Sequence, residues 1–178
     1  ENVHCAVVGM TGSGKSNLMR CMALSALQTR GVHVALLDPT GDMLPLSGHP
    51  LIWRGGLFQD VEDIALALEA LTAQINRQQS GVTLVFVDEV PDLVAQCPPI
   101  RDHLGRLAQA GRHAGIHLIL GAQNPLTSEL GSATLRNVPV RIVGRVADRI
   151  AAYKAAGRGD TGAEALRGKG DFLLVTGG

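Results

Sequence analysis

Aromatic side chains are scarce in this 178-residue chain: three phenylalanines, one tryptophan and one tyrosine amount to 3 %. A core must therefore be built from Val, Leu, Ile and Ala, and no aromatic platform for stacking the bases of single strands is evident. Cysteine is also rare. Cys5, Cys21 and Cys97 are odd in number and show no C-x-x-C spacing, which excludes a disulfide scaffold or a zinc ribbon and fits a reducing compartment. Cys5 and Cys21 read as small apolar core residues. No apolar run approaches the ~18–20 residues that span a bilayer. No basic and then apolar leader opens the chain. The expectation is a cytoplasmic segment without direct membrane contact, tethered to the inner membrane, if at all, by regions outside it. Internal repeats, low-complexity tracts and proline-rich linkers are lacking. So is an excess of one charge: sixteen Lys and Arg balance sixteen Asp and Glu, which argues against a strong global field for nucleic acid. The balance is uneven along the chain, with five basic and ten acidic residues in 1–100 and eleven basic and six acidic in 101–178.

Apolar residues make up 46 % of the chain, which excludes disorder. The length suits a single domain over 1–178 with a sizeable core. Short apolar runs alternate with helical patterns. Strands are expected at 3–8, 32–37, near 51–53, at 82–87, 116–120, 140–146 and 172–175. Helices are expected over 15–29, from an Asp60 cap to about Gln78, over 100–111 and over 147–156. In the first of these Leu18, Met19, Met22 and Leu27 form the apolar side. Asp38-Pro39-Thr40-Gly41 is turn chemistry. Strands separated by helices point to an α/β fold, a mostly parallel sheet covered on both faces.

Gly9-Met10-Thr11-Gly12-Ser13-Gly14-Lys15-Ser16 matches G-x-x-x-x-G-K-[ST], with a β-rich run before it and a helical pattern through Asn17 after it. Gly12 and Gly14 let the backbone wrap an anion without Cβ clashes. The loop amides and the helix N-terminus then face phosphate. Lys15 is placed to reach the β- and γ-phosphates of ATP, and Ser16 to give its hydroxyl to Mg2+. Thr83-Leu84-Val85-Phe86-Val87-Asp88-Glu89 is an apolar strand that ends in two acids. Such an end shares the sheet edge where open α/β sheets bind ligands. There Asp88 is placed to hold Mg2+ and Glu89 to act as general base on the attacking water. A third apolar run, His117 to Ala122, ends in Gln123, placed to bond the γ-phosphate or the lytic water.

Together these residues resemble the FtsK/HerA family of RecA-like motor ATPases, and its FtsK/SpoIIIE DNA translocases most. The resemblance lies in Gly9 to Ser16 (the Walker A motif), Leu36 to Gly41, Val85 to Glu89 (Walker B), Gly111 to Pro125, Asn137 to Val146 and Ala163 to Leu173, nearly the whole chain in order. The family's A-T-Q-R-P reads Gly121-Ala122-Gln123-Asn124-Pro125 here, and its D-S-R after the R-V strand is replaced near Ala151-Ala152-Tyr153-Lys154. The resemblance implies a three-layer RecA-like fold and a homo-oligomeric ring, usually hexameric, with ATP at subunit interfaces and double-stranded DNA through the centre. It also implies an arginine finger from a neighbour. Arg112, Arg141 and Arg145 stand in the matching stretches. The chain starts at the phosphate-loop strand, as an excised motor or a minimal relative would.

Two alternatives share these motifs: a related ATPase that moves protein, as in type VII secretion, and a conjugative or phage DNA-transfer ATPase. Glu89 argues against a nucleotide switch without turnover, which needs no resident base. Gly157 to Gly162 spells G-x-G-x-x-G but follows a helix, so the dinucleotide reading fails its context. His113 and His117 have ligand spacing, but Gly115 between them removes a shared helical face. Trp53 and Phe58 are expected to pack in the core or under a loop. Arg136, Arg141, Arg145 and Arg149 form a basic series suited either to a pore or to pairing with acids of the other half.

Overall fold

In the computed structural model, which describes residues 4–77 and 81–176, the short apolar runs form strands laid side by side. β1 (Cys5–Val8), β2 (Val32–Leu37), β3 (Ile52–Phe58), β4 (Val82–Val87), β5 (Ile116–Ala122), β6 (Val140–Val143) and β7 (Leu173–Thr176) make one sheet in the order β3-β2-β4-β5-β1-β6-β7. Every neighbouring pair is parallel except β6 and β7. The helices between them are α1 (Lys15–Leu27), α2 (Val61–Thr72), α3 (Val90–Gln96), α4 (Pro99–Ala110), α5 (Thr127–Leu135) and α6 (Arg149–Ala156).

Side chains alternate across the sheet, as strand geometry requires. Cys5, Val7, Val34, Leu36, Phe86 and Ile119 face α1 and pack on Met19, Ala23 and Leu27. Ala6, Val8, Ala35, Leu37, Val85, Val87, Leu118 and Leu120 face the other way, onto Ile64, Leu68 and Leu71 of α2, Leu104 and Leu107 of α4, and Ala152 of α6. The result is the expected three-layer α/β arrangement, with a single long helix on one face and several on the other.

Several elements differ from the sequence expectation. The expected first strand began at Val3 and the second helix ended near Gln78; both residues lie outside the described ones. α2 stops at Thr72, whose Oγ1 donates to the Leu68 carbonyl at 2.7 Å. β3 runs to Phe58 because the left-handed Arg54 and Gly55 (φ 52° and 75°) and a register shift against β2 carry the strand past an irregularity. The Arg54 guanidinium lies over the Trp53 ring, 4.6 Å from its centroid, and Trp53 packs 5.9 Å from Phe58. α3 and α5 have no counterpart in the expectation: α3 is short, with proline in its first turn, and α5 is kinked at Gly131 (φ 75°, ψ 156°), which breaks the 3.6-residue period. Cys5 is buried as expected, but Cys21 is exposed on α1 and is not a core residue.

Candidate nucleotide site

Parallel pairing brings the C-terminal ends of β1, β4, β5 and β6 to one edge, and the loop from Gly9 to Gly14 crosses that edge. It is pinned on both sides: the Gly9 amide donates to the Ala122 carbonyl (3.1 Å) and the Met10 amide to that of Arg145 (2.9 Å). Gly12 and Gly14 are left-handed (φ 82° and 97°), the region that glycine enters without a Cβ penalty. A Cβ on Gly9 would meet the Ser13 hydroxyl at 2.6 Å, so the turn needs glycine there for space. α1 begins at Lys15, which leaves the first N–H groups of its opening turn without intrahelical acceptors. They face a cavity of about 370 Å3 lined by Met10 to Asn17, Thr40, Asp42, Glu89 and Gln123.

A single polar network closes this cavity. Lys15 is 6 % exposed, and its Nζ donates to Asp88 Oδ1 and, at 3.1 Å, to Glu89 Oε1. Gln123 Nε2 donates to the same Glu89 oxygen (3.0 Å), and Thr11 Oγ1 donates to Gln123 Oε1 (2.8 Å). The Glu89 amide donates to Asp88 Oδ1 (2.8 Å). Glu89 itself has φ 50° and ψ 46°, a left-handed conformation rare outside glycine and found where function holds the backbone. That turn between β4 and α3 brings its carboxylate to the cavity. Asp88 is fully buried. Burial pushes its carboxyl above the usual aspartate range, and the adjacent Lys15 ammonium opposes this.

Asp88 Oδ2 is buried with no hydrogen-bond partner. An unsatisfied carboxylate oxygen of this kind fits a divalent cation, and Ser16, in the first turn of α1, lines the phosphate cavity. One carboxylate and one hydroxyl, completed by water and substrate phosphate, are a donor set of the Mg2+ type. Among the described residues no group of three His, Cys, Asp or Glu gathers as a metal site.

Sequence reasoning missed Thr40 and Asp42, which line the cavity from the loop after β2. Buried Asp38 holds that loop. Its Oδ1 accepts from the Thr40 amide (3.0 Å), the Thr40 hydroxyl (2.7 Å) and the Gly41 amide (3.2 Å), and its Oδ2 accepts from the Met43 amide (2.8 Å). The turn chemistry of residues 38–41 was the legible signal. The three arginines are not brought together. Arg112 lies in the helical turn Gly111–Ala114 before β5, at the edge away from the loop. Arg141 is spent on the chain itself, donating from Nε to the Val138 carbonyl (2.8 Å) and from Nη2 to that of Leu135 (2.7 Å). Arg145 follows β6 beside the loop and is exposed. Among the described residues none of the three joins the Lys15 network.

Known proteins resemble this chain in sequence and in fold. Residues 2–86 match the family model described as the central domain of helicase HerA. The chain is 29 % identical over 206 aligned positions to a DNA translocase FtsK of Clostridium tetani, covering 98 % of this chain and 27 % of that protein. A DNA translocase FtsK of Caulobacter vibrioides is 38 % identical over 108 positions, 60 % of this chain and 13 % of that one. The chain spans about a quarter of the length of the first of these relatives. Among solved structures, the pCW3 conjugation coupling protein TcpA, determined with ATPγS, superposes with a TM-score of 0.80 at 23 % identity over 99 % of this chain and 58 % of that one. EssC ATPases 2 and 3 of Geobacillus thermodenitrificans give 0.80 at 18 %, over 99 % and 38 %. These two likenesses are of fold.

Proposed function

We propose that this chain, which is similar to the HerA central domain over residues 2–86 and to FtsK DNA translocases over nearly its whole length, is an FtsK/HerA-type P-loop ATPase that binds ATP with Mg2+ in the Gly9–Asn17 loop, hydrolyses it, and as one subunit of a homo-oligomeric, hexameric ring uses the step to move double-stranded DNA. The observation that carries the reading is the meeting of Lys15, Asp88, Glu89 and Gln123 at the mouth of a glycine-rich loop on one sheet edge.

In the mechanism this supports, Lys15 leaves the two acids when a triphosphate enters and directs its ammonium to the β- and γ-phosphate oxygens. Ser16 and Asp88 would hold Mg2+, which when bound neutralises charge on the phosphates. Once Lys15 has moved, a Glu89 oxygen is free to accept the proton of a water whose oxygen bonds to the γ-phosphorus, while the bond to the ADP oxygen breaks. Gln123, held by Thr11 on one side and Glu89 on the other, orients that water. Arg141 is tied to two carbonyls, so exposed Arg112 and Arg145 are the arginines free to reach a neighbour's phosphates.

DNA is favoured over a protein cargo because relatives named as DNA translocases align with this chain at 27–38 % identity, whereas the type VII secretion ATPase EccC of Thermomonospora curvata shares its fold at 16–18 %. We place the domain in the cytoplasm; among the described residues no helix is long and apolar enough to cross a membrane. Phosphate release tests the catalytic assignment. Glu89→Gln should retain ATP and lower turnover by about 10²–10⁴-fold, and Lys15→Ala should lose the nucleotide. Unchanged turnover in Glu89→Gln would overturn the role of that residue.

A further inference from the structure

A cavity of about 720 Å3 lies at the sheet edge opposite the phosphate loop, where α5 and α6 end and β6 begins. It has the size of a small-molecule site and shares no lining residue with the phosphate cavity. Its floor is apolar and fixed. Leu135, Val138 and Val175 line it, and Arg141 ties the first two in place, from Nη2 to the Leu135 carbonyl (2.7 Å) and from Nε to that of Val138 (2.8 Å). Its rim is cationic. Arg136, Lys154 and Arg158 line it and are exposed. No acid is among its lining residues, and among the described residues none of the three cations forms a salt bridge. Two of them have a structural use: Arg136 caps α5 and Lys154 stands in the last turn of α6, where positive charge offsets the free carbonyls of a helix end. Arg158 has no such use. It follows the left-handed Gly157 (φ 75°), whose amide ends α6 by donating to the Tyr153 carbonyl at 2.8 Å. Tyr153, the chain's one tyrosine, is 58 % exposed and completes the rim. It and Lys154 belong to the stretch in which the chain departs from the FtsK pattern.

We propose that this cavity is a second ligand site, which takes a nucleoside phosphate: the base against the Tyr153 ring and the apolar floor, the phosphate on Arg136, Lys154 and Arg158. A terminal phosphate carries about two negative charges at neutral pH, which suits a rim of cations without a counter-acid. Arginine forks bond phosphate oxygens in pairs, and every base offers a face to an aromatic ring. A concave site of this size admits one nucleotide, either free or at the end of a strand. A duplex, whose bases are stacked inside, brings only its backbone to such a rim.

Calorimetric titration of the intact chain with thymidine 5′-monophosphate tests this. That probe lacks the β- and γ-phosphates that Lys15 is placed to hold, so its affinity should be the same in wild type and in Lys15→Ala. Lys154→Glu combined with Arg158→Glu should weaken it about tenfold or more, with a melting temperature like that of wild type to show that the variant is folded. Tyr153→Ala should weaken it severalfold, and Tyr153→Phe, which keeps the ring, should not. A 5′-phosphorylated single-stranded oligothymidine identifies the source: competition with the monophosphate points to a strand end, and its absence to a free nucleotide. The proposal falls if wild type does not bind the monophosphate. It also falls if binding is lost in Lys15→Ala and kept in the charge-reversed variant, since the probe then sits in the Gly9–Asn17 loop. Charge reversal that weakens duplex binding and leaves the monophosphate unchanged would overturn it too, making the rim a surface for duplex backbone.

Discussion

At the scale of single residues, the site is a set of buried polar groups whose partners decide their chemistry. Thr11 is exposed, and its one hydrogen bond in the network holds Gln123. Thr11→Val should therefore leave folding intact and lower turnover by up to about tenfold, the worth of one hydrogen bond, with little change in ATP affinity; steady-state kinetics separate the two. A second residue-scale prediction concerns buried His4, whose Nδ1 accepts the Leu118 amide at 2.9 Å and whose ring lies 6.0 Å from that of His117. Burial, then the neighbouring His117 and Arg112, lower its pKa to about 4. The unfolded chain, with histidine near 6.5, binds the extra proton first, so His4 stabilises the fold above that pH and its contribution is lost on acidification from about 6.5 towards 4. Asp88, raised by burial, acts in the opposite sense. The difference between wild type and His4→Asn isolates the histidine: thermal melts between pH 7.5 and 4.5 should fall less steeply for the variant. The loop from Gly9 to Asn17 and the acids Asp88 and Glu89 were legible in sequence because phosphate chemistry demands adjacent residue types at fixed spacing. The His4–His117 pair was not, since only the pairing of β1 with β5 joins residues so distant in the chain.

At the scale of elements, strands were legible where both faces are buried, as in β2, β4 and β5, because a short, largely apolar run bounded by turns has few other solutions. α5 was hidden by its Gly131 kink and β3 by its left-handed Arg54 and Gly55. Cys21 was misplaced for a related reason: the apolar stripe that α1 buries runs along Met19, Ala23, Ala26 and Leu27, and Cys21 lies outside it. The packing between α1, β4 and β5 gives the clearest prediction at this scale. Gly121 of β5 has no room for a Cβ, which would strike Asp88 Oδ1 and come within 2.7 Å of Met19 Sδ. Gly121→Ala should cost about 1–3 kcal/mol, read as a lower melting temperature, and should weaken Mg2+-dependent ATP binding because Asp88 must shift. An unchanged melting temperature with unchanged affinity would show that the three elements are less tightly packed there.

At the scale of the whole molecule, β3 and β2 of the acidic first half stand at one end of the sheet and β6 and β7 of the basic second half at the other, while β1 of the first half lies between β5 and β6 of the second. Sequence carried the resemblance to FtsK/HerA proteins, the layered fold and the gathering of Lys15, Asp88, Glu89 and Gln123 at one sheet edge. It did not carry which arginine is free, because only the fold reveals that Arg141 is bound to two backbone carbonyls. In the assembled ring, Arg145→Ala or Arg112→Ala should lower turnover with ATP affinity retained, and Arg141→Ala should instead lower stability by removing its two bonds to the Val138 and Leu135 carbonyls, of which Leu135 keeps the Val138 amide as a partner. The central claim is that ATP hydrolysis at the Lys15 network drives movement on DNA, and its most direct measure is the ATPase rate of the assembled protein with and without double-stranded DNA. The account predicts a rate that rises severalfold with duplex and is abolished in either condition by Glu89→Gln; an assembled ring that hydrolyses ATP at the same rate whether or not duplex is present would contradict it.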